Sequence, residues 1–207
     1  AELVSGYLAR IERLDEKVNS VLALNPNALT EAKAIDKRLA NGETLGPLEG
    51  IPVLLKDNIE SKEMPTTAGS MALITNETGR DAPIVEKLKA AGAIILGKTN
   101  LSEWANFRSE SSISGWSAVG GLTRNPHMLS RSACSSSSGS GAAMSLRLYF
   151  FEQMIIITNS YRRNYLNTNQ SGICNLESGI LNLELGKFLI WNSVSMTAVC
   201  QAQAETH

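Results

Sequence analysis

Two short apolar runs constrain the fold of this chain more than any other feature. Ile51-Pro52-Val53-Leu54-Leu55 and Ala93-Ile94-Ile95-Leu96-Gly97 are continuous rather than alternating, the pattern of strands buried on both faces of a parallel sheet. One helical segment separates them: Asp81 reads as its cap, Ile84, Val85 and Leu88 recur on one face, and Gly92 ends it. Strand, helix and strand over 51–97 make a βαβ unit with an expected right-handed crossover. The fold class is therefore α/β. Upstream, Leu3, Tyr7, Ile11, Leu14 and Val18 share one face of a predicted helix over 2–18. Asn25 and Pro26 read as the cap and first residue of a second helix carrying Ala28, Ala32, Ile35 and Leu39, which Asn41-Gly42 stops. A third, short helix is expected over 101–107, capped by Asn100. Residues 108–131 lose periodicity, and an irregular segment of that length inside a compact domain is uncommon and often functional.

Composition narrows the function classes. The 207 residues are 43% hydrophobic and 19% charged, as in a soluble globular protein. The net charge is −1, from 19 basic and 20 acidic residues, so neither nucleic acid nor an anionic membrane is an expected partner. No apolar run approaches the ~18 residues of a membrane span, and no signal peptide is present. The chain opens at Ala1 already in helical periodicity and reads as a fragment or trimmed product. Localisation is left unassigned, cytoplasmic by default with secretion open. Cys134, Cys174 and Cys200 form no metal-like spacing and are compatible with a reducing compartment without requiring one.

Two stretches carry candidate chemistry. In Gly50-Ile51-Pro52-Val53-Leu54-Leu55-Lys56-Asp57-Asn58-Ile59 a lysine ends an apolar strand, where a charged side chain needs a reason to be. In Arg131-Ser132-Ala133-Cys134-Ser135-Ser136-Ser137-Ser138-Gly139-Ser140-Gly141-Ala142-Ala143-Met144 a serine- and glycine-rich loop enters a helix of small residues. The second stretch admits three readings: a flexible linker, a catalytic loop, and a phosphate or carboxylate site at a helix start. It has no GxxxxGK[ST] pattern and is not a P-loop. Lys98 also follows an apolar strand and reads as a solvated strand-end charge. His127 and His207 are isolated, His127 reads as a loop residue, and no metal set exists at ligand spacing. Trp104, Phe107 and Trp116 read as packing residues, with a substrate pocket as the alternative. Asp57-Asn58 reads either as a strand-end turn or as an orienter of neighbouring loops.

The character of the chain changes after about Ser145. Asp15, Asp36, Asp57 and Asp81 are its only aspartates, whereas residues 146–207 hold seven asparagines. The expected organisation is thus 1–145 as one domain portion and 146–207 as an unmatched tail, frameshifted or misjoined.

Over 1–145 the sequence resembles the amidase signature family, in its peptide-amidase-like branch. The resemblance is carried by Gly46-Pro47-Leu48-Glu49 running into the Lys56 stretch, by Thr66-Thr67-Ala68-Gly69-Ser70 and Arg80-Asp81-Ala82, and by 91–108. Ser114-Gly115-Trp116-Ser117 and the serine run complete it. It implies an amidase signature fold, here incomplete, with a mixed central sheet flanked by helices. It also implies hydrolysis of carbon–nitrogen amide bonds through a Ser–cis-Ser–Lys triad without a cofactor, on a small-molecule or peptide amide. Carried over, Lys56 is the base, Ser136 the bridging serine with a cis peptide bond, and Ser137 a supporting hydroxyl. A lysine can serve as a base only if desolvation or a nearby cation lowers its pKa from about 10.4 toward neutrality. Two departures stand out: Ser135 occupies a position where the family has glycine, and the Gly-Ser nucleophile motif is missing. Ser160 lies at the nucleophile's spacing in the context Thr158-Asn159-Ser160-Tyr161, which reads as coincidence. The alternative is a catalytically inactive relative or a ligand-binding fragment. The site assignment requires Lys56 and Ser136 within hydrogen-bond reach, and a separation beyond about 6 Å would overturn it.

Overall fold

The computed structural model describes residues 1–107 and 109–148. Four helices, α1 (Glu2–Leu14), α2 (Ala28–Ala40), α3 (Pro83–Ala90) and α4 (Ser138–Ser145), surround a sheet of β1 (Val21–Leu24), β2 (Pro52–Lys56) and β3 (Ile94–Thr99). The strand order is β1-β3-β2. β2 and β3 are parallel and β1 is antiparallel to β3, so the sheet is mixed. The predicted βαβ unit is therefore present as β2-α3-β3, while β1 was not foreseen.

Burial explains the continuous apolar runs. On one face Leu54, Ile94 and Leu96 pack with Val4 and Ile11 of α1, Ala28 and Ala32 of α2, and Ala143 of α4. On the other, Leu55 and Ile95 pack with Val85 and Leu88 of α3, Ile59 and Met64. With both faces covered, neither strand has a polar face to display.

Several sequence expectations shift at element ends. The first helix stops at Leu14 and passes into a 3-10 turn over Asp15–Lys17, because the buried Asp15 carboxylate accepts hydrogen bonds from the Ser20 and Val21 amides and the Ser20 hydroxyl. The backbone turns there into β1. Asn25 is not the cap of α2. Its side-chain amide donates to Ile95 O at 2.8 Å, tying the turn to β3, and α2 begins three residues later. Asp81 does not cap α3 either. Pro83 takes the first helical turn, and Asp81 accepts from the Lys62 amide at 3.0 Å and pairs with Lys89 at 2.8 Å. Part of the stretch 108–131 is ordered as strands, β4 (Trp116–Ser117) with β5 (Gly121–Leu122) and β6 (Arg124–Asn125) with β7 (Met128–Ser132). The change of character expected after Ser145 lies almost wholly outside the described residues.

One irregularity positions everything that follows. Val53 pairs with Ile95 but Leu54 pairs with Gly97, so β3 carries one extra residue, Leu96. Such a bulge re-aims the side chains beyond it. After it Leu55 pairs with Lys98 and Lys56 with Thr99. Lys98 thus points to the α3 face and Thr99 to the α4 face. At the same place β3 lies so close to β1 that a Cβ on Gly97 would lie 2.3 Å from Ala23 O. Gly97→Ala should therefore destabilise the fold by about 1–3 kcal/mol through overpacking against backbone that cannot yield. Gly141→Ala, in the open middle of α4 with nothing within 4 Å, should be neutral or stabilising by up to ~1 kcal/mol. Urea denaturation of the two variants checks the pair, and equal effects would refute the register.

Candidate active site

The site is built where the C-terminal ends of β2 and β3 meet the start of α4. The last residue of β2 is Lys56, buried at 6% exposure. Its Nζ donates to Ser136 Oγ at 3.1 Å, across 80 residues of sequence. The sequence-predicted pair is therefore brought together. Among the described residues no carboxylate lies within ion-pair distance of Lys56. Burial alone, with no such partner opposing it, lowers the lysine's pKa to about 8.

The serine run is a packed turn rather than a linker. Ser135 adopts φ 84, a left-handed conformation that glycine takes freely and serine does not. The chain reverses there and enters α4 three residues later. Ser102 holds the turn from outside: its hydroxyl donates to Ser135 O at 3.0 Å and its amide to Ser136 O at 3.2 Å. The same hydroxyl accepts from the Gly115 amide at 2.8 Å. Gly139 lets α4 approach the end of β3, since a Cβ there would lie 2.3 Å from Asn100 O. Thr99 and Ser140 share a hydrogen bond at 2.7 Å and fix the helix over the sheet. No peptide bond among the described residues is cis, including the one expected at Ser136. The reversal is made by the positive φ of Ser135 instead.

Ser137 is the residue before α4, and its hydroxyl is buried without a hydrogen-bond partner among the described residues, as is that of Ser138. Ser137 therefore stands beside the Lys56–Ser136 pair in sequence without bonding to it. Ser160 and His207 lie outside the described residues. His127 is exposed in the β6–β7 turn, where its amide donates to Asn125 Oδ1 at 2.9 Å.

Lys98 overturns its expectation as a solvated charge. It is 0% exposed and donates to Ile59 O at 2.7 Å, Thr66 Oγ1 at 3.0 Å and Asp57 Oδ1 at 3.3 Å. Its pKa is lowered by burial, with Asp57 opposing the shift. The bulge is the reason, because it turns Lys98 inward over the loop that follows β2. Asp57 also accepts from the Thr67 amide and hydroxyl, so it orients that loop, whereas Asn58 is exposed.

The helix expected over 101–107 is a different object. Trp104, Ala105 and Asn106 have φ of 51, 53 and 66, a left-handed turn. The Trp104 amide donates to Ala68 O at 3.0 Å, and Glu103 accepts from the Ala118 amide at 2.8 Å. Tied to two other loops at these adjacent residues, the segment turns left-handed instead of following a right-handed helix. Trp104 is 45% and Phe107 92% exposed, so neither is a packing residue; both line an open cleft with Ser70 and Glu103. Trp116 lies half-buried in β4.

Ser102 and Asn100 hold the framework of the candidate site, a part that the sequence reading did not give them. Asn100 is fully buried: its amide donates to Asn19 O, Gly121 O and Thr123 Oγ1, and its carbonyl accepts from Leu101 N and Ser117 Oγ. The available signal was a polar run, Lys98-Thr99-Asn100, continuing a strand too apolar to end in solvent. Among the described residues no group of three or more His, Cys, Asp or Glu could hold a metal. None of their helices is long and apolar enough to cross a membrane.

Comparison with known proteins decides the ancestry. The family model described as Amidase matches residues 2–153. The chain belongs to the amidase family. It is 45% identical over 150 residues to a probable amidase of Arabidopsis thaliana, covering 71% of this chain and 29% of that one. Among solved structures, native peptide amidase from Stenotrophomonas maltophilia is 52% identical with a TM-score of 0.69, covering 72% of this chain and 31% of that one. An amidase family protein from Bacillus anthracis is 40% identical with a TM-score of 0.68, covering 72% and 30%. The fold is thus that of an amidase, and the chain spans between a quarter and a third of the length of such relatives.

The two buried lysines among the described residues of this amidase chain make opposite stability predictions. Lys56 has a folded pKa of about 8 against 10.5 unfolded, so between those values the unfolded chain binds one more proton and stability rises with pH. Below pH 8 the charged amine is destabilising by up to about 3 kcal/mol, less ~1 kcal/mol for its hydrogen bond. Lys56→Met should therefore be more stable than the parent at pH 7 by on the order of 2 kcal/mol, and the advantage should vanish above pH 10.5. Lys98→Met leaves Asp57 buried without its cation and should cost ~3–5 kcal/mol. Chemical denaturation of both variants at pH 7 and pH 10.5 checks the contrast. A destabilised Lys56→Met at pH 7 would contradict it.

Proposed function

We propose that this chain carries the base-bearing portion of an amide hydrolase. Lys56 is the general base, and Ser136 relays a proton between its amine and an acyl-accepting serine. Ser137 is a supporting hydroxyl in the same turn. The observation that carries this reading is the Lys56–Ser136 hydrogen bond, made by a lysine whose burial holds it near neutrality. A neutral amine at 3.1 Å takes the Ser136 proton as that hydroxyl takes one from the attacking serine, and returns it to the leaving amine as the amide bond breaks. The substrate class is a carboxamide, small-molecule or peptide. The 52% identity to a peptide amidase favours the amide of a peptide. No cofactor enters the reaction.

A second reading, a catalytically inactive relative, is favoured by the missing Gly-Ser nucleophile motif, since Ser160 has neither the glycine nor the acidic neighbour. A turn of that kind also supplies oxyanion donors, so two catalytic parts are lost together. One experiment separates the readings. The 207-residue chain should show no turnover of a C-terminally amidated dipeptide. A chimera joining residues 1–145 to the remainder of the peptide amidase should gain turnover and lose at least about 100-fold on Lys56→Ala. An inactive chimera favours the second reading, and an active chimera indifferent to Lys56→Ala refutes the base assignment.

A further inference from the structure

We propose that in this chain Ser136 is itself an acyl acceptor, so that Lys56 and Ser136 form a self-sufficient pair that takes the acyl group from an aryl ester. The inference rests on Lys56 being a base, but it needs no serine beyond residue 148. Ser136 differs from the hydroxyls around it. Ser137 and Ser138 are buried, and Ser140 bonds Thr99. Ser102 is committed to Ser135 and Gly115. Ser136 alone combines partial exposure with a hydrogen bond to an amine. That amine has no carboxylate partner among the described residues to keep it protonated. The amine of Lys98 is the opposite case, with three acceptors including Asp57, and cannot act this way.

The turn is also tied to the segment that carries an open cleft. Ser136 O accepts from the Ser102 amide, and Ser102 is followed in the chain by Glu103 and Trp104, two of the four residues lining the open cleft. An aryl ester can rest its ring on Trp104 and Phe107. Such esters are the appropriate class because their leaving group departs as a phenolate, without the acid assistance that an amide's leaving amine demands. In the step, Ser136 Oγ attacks the ester carbonyl carbon while its proton passes to Lys56 Nζ. The carbon–oxygen bond to the aryl group then breaks, and the phenolate leaves with the bonding pair and takes up that proton from Lys56 or solvent. The product is an O-acyl Ser136, which water hydrolyses slowly: water gives a proton to Lys56 Nζ as it attacks the acyl carbon, and the bond to Ser136 Oγ breaks to release the carboxylic acid and restore the hydroxyl.

The test uses the chain as it stands with p-nitrophenyl acetate. One acetyl group per chain should appear, on Ser136 by peptide mapping, with a rate that rises with pH to a midpoint near 8. Ser136→Ala should abolish the adduct. Lys56→Arg, which keeps a cation that cannot deprotonate, should slow it by about 100-fold or more. Ser160→Ala should leave it unchanged. Should Ser136→Ala fail to fold, Ser136→Cys supplies the same reading: iodoacetamide should alkylate it faster than it does in the Lys56→Met background, which holds neither a base nor a cation to form the thiolate. An acetyl group found on Lys56, Ser160 or any other residue, or its survival in Ser136→Ala, overturns the proposal. No acylation of Ser136 alongside a chimera that hydrolyses amides through Lys56 overturns this inference and leaves the base assignment intact. Ser136 acylation indifferent to Lys56→Arg overturns both.

Discussion

One extra residue in β3 decides which way the two buried lysines among the described residues point. Without the bulge at Leu96, Lys98 would keep the parity of Ile94 and Leu96 and point at α4, the face that holds Lys56 and Ser136. Two ammonium groups would then compete for the same space. The bulge sends Lys98 through the sheet to Asp57 and turns Thr99 up to Ser140. Beside it the backbones of β3 and β1 approach closely, which Gly97 permits because it has no Cβ. The separation of a structural lysine from a candidate base is therefore a matter of strand register, set before any side chain of the site is considered.

The two lysines then show how partners, more than burial, assign a role. Both are removed from water, and burial is the largest influence on each. Lys98 regains what it loses through a carbonyl, a hydroxyl and a carboxylate, and the loop after β2 is held as a consequence. Lys56 regains a single hydroxyl contact. Its charged form is thus poorly supported and its neutral form is favoured within reach of neutral pH. A group that contributes so little to the fold as a cation makes physical sense as one that must give up and take back a proton.

What the sequence made legible follows from the range of each interaction. The βαβ unit was readable because burial on both faces writes itself as a continuous apolar run over 51–55 and 93–97. The Lys56–Ser136 contact could be anticipated only through resemblance, since nothing local to either residue encodes a meeting across 80 positions. The errors cluster where one tertiary hydrogen bond outweighs local pattern. Asn25, one turn ahead of α2, accepts from the Asn27 amide while its own side-chain amide serves Ile95 O, and Asp81 looks like a cap but serves Lys62 and Lys89. Residues 101–107 carry helical composition yet turn left-handed because Ala68 and Ala118 hold Trp104 and Glu103 in place. Lys98 was misplaced for want of the bulge, which leaves no mark in the sequence except a glycine within a strand.

The serine run shows the same rule from the other side. Its composition is that of a linker, but a linker is small and polar because it touches nothing. Here most of the small residues are enclosed, with Ser135 and Gly141 the open exceptions. Gly139 lies under the backbone of Asn100, Ala142 and Ala143 are buried against the core, and Ser137 and Ser138 are enclosed. A larger residue at any of these positions would lift α4 off the ends of β2 and β3, and with it the turn that carries Ser136. Ser135 supports that conclusion at a cost, since it holds a positive φ that costs a serine roughly 1 kcal/mol or more where glycine would hold it freely. The turn keeps this geometry because Ser102 fixes it at two atoms and Gly139 admits the helix behind it. The position of the candidate catalytic hydroxyl is thus a property of packing around the loop, and the loop's own flexibility is spent in reaching it.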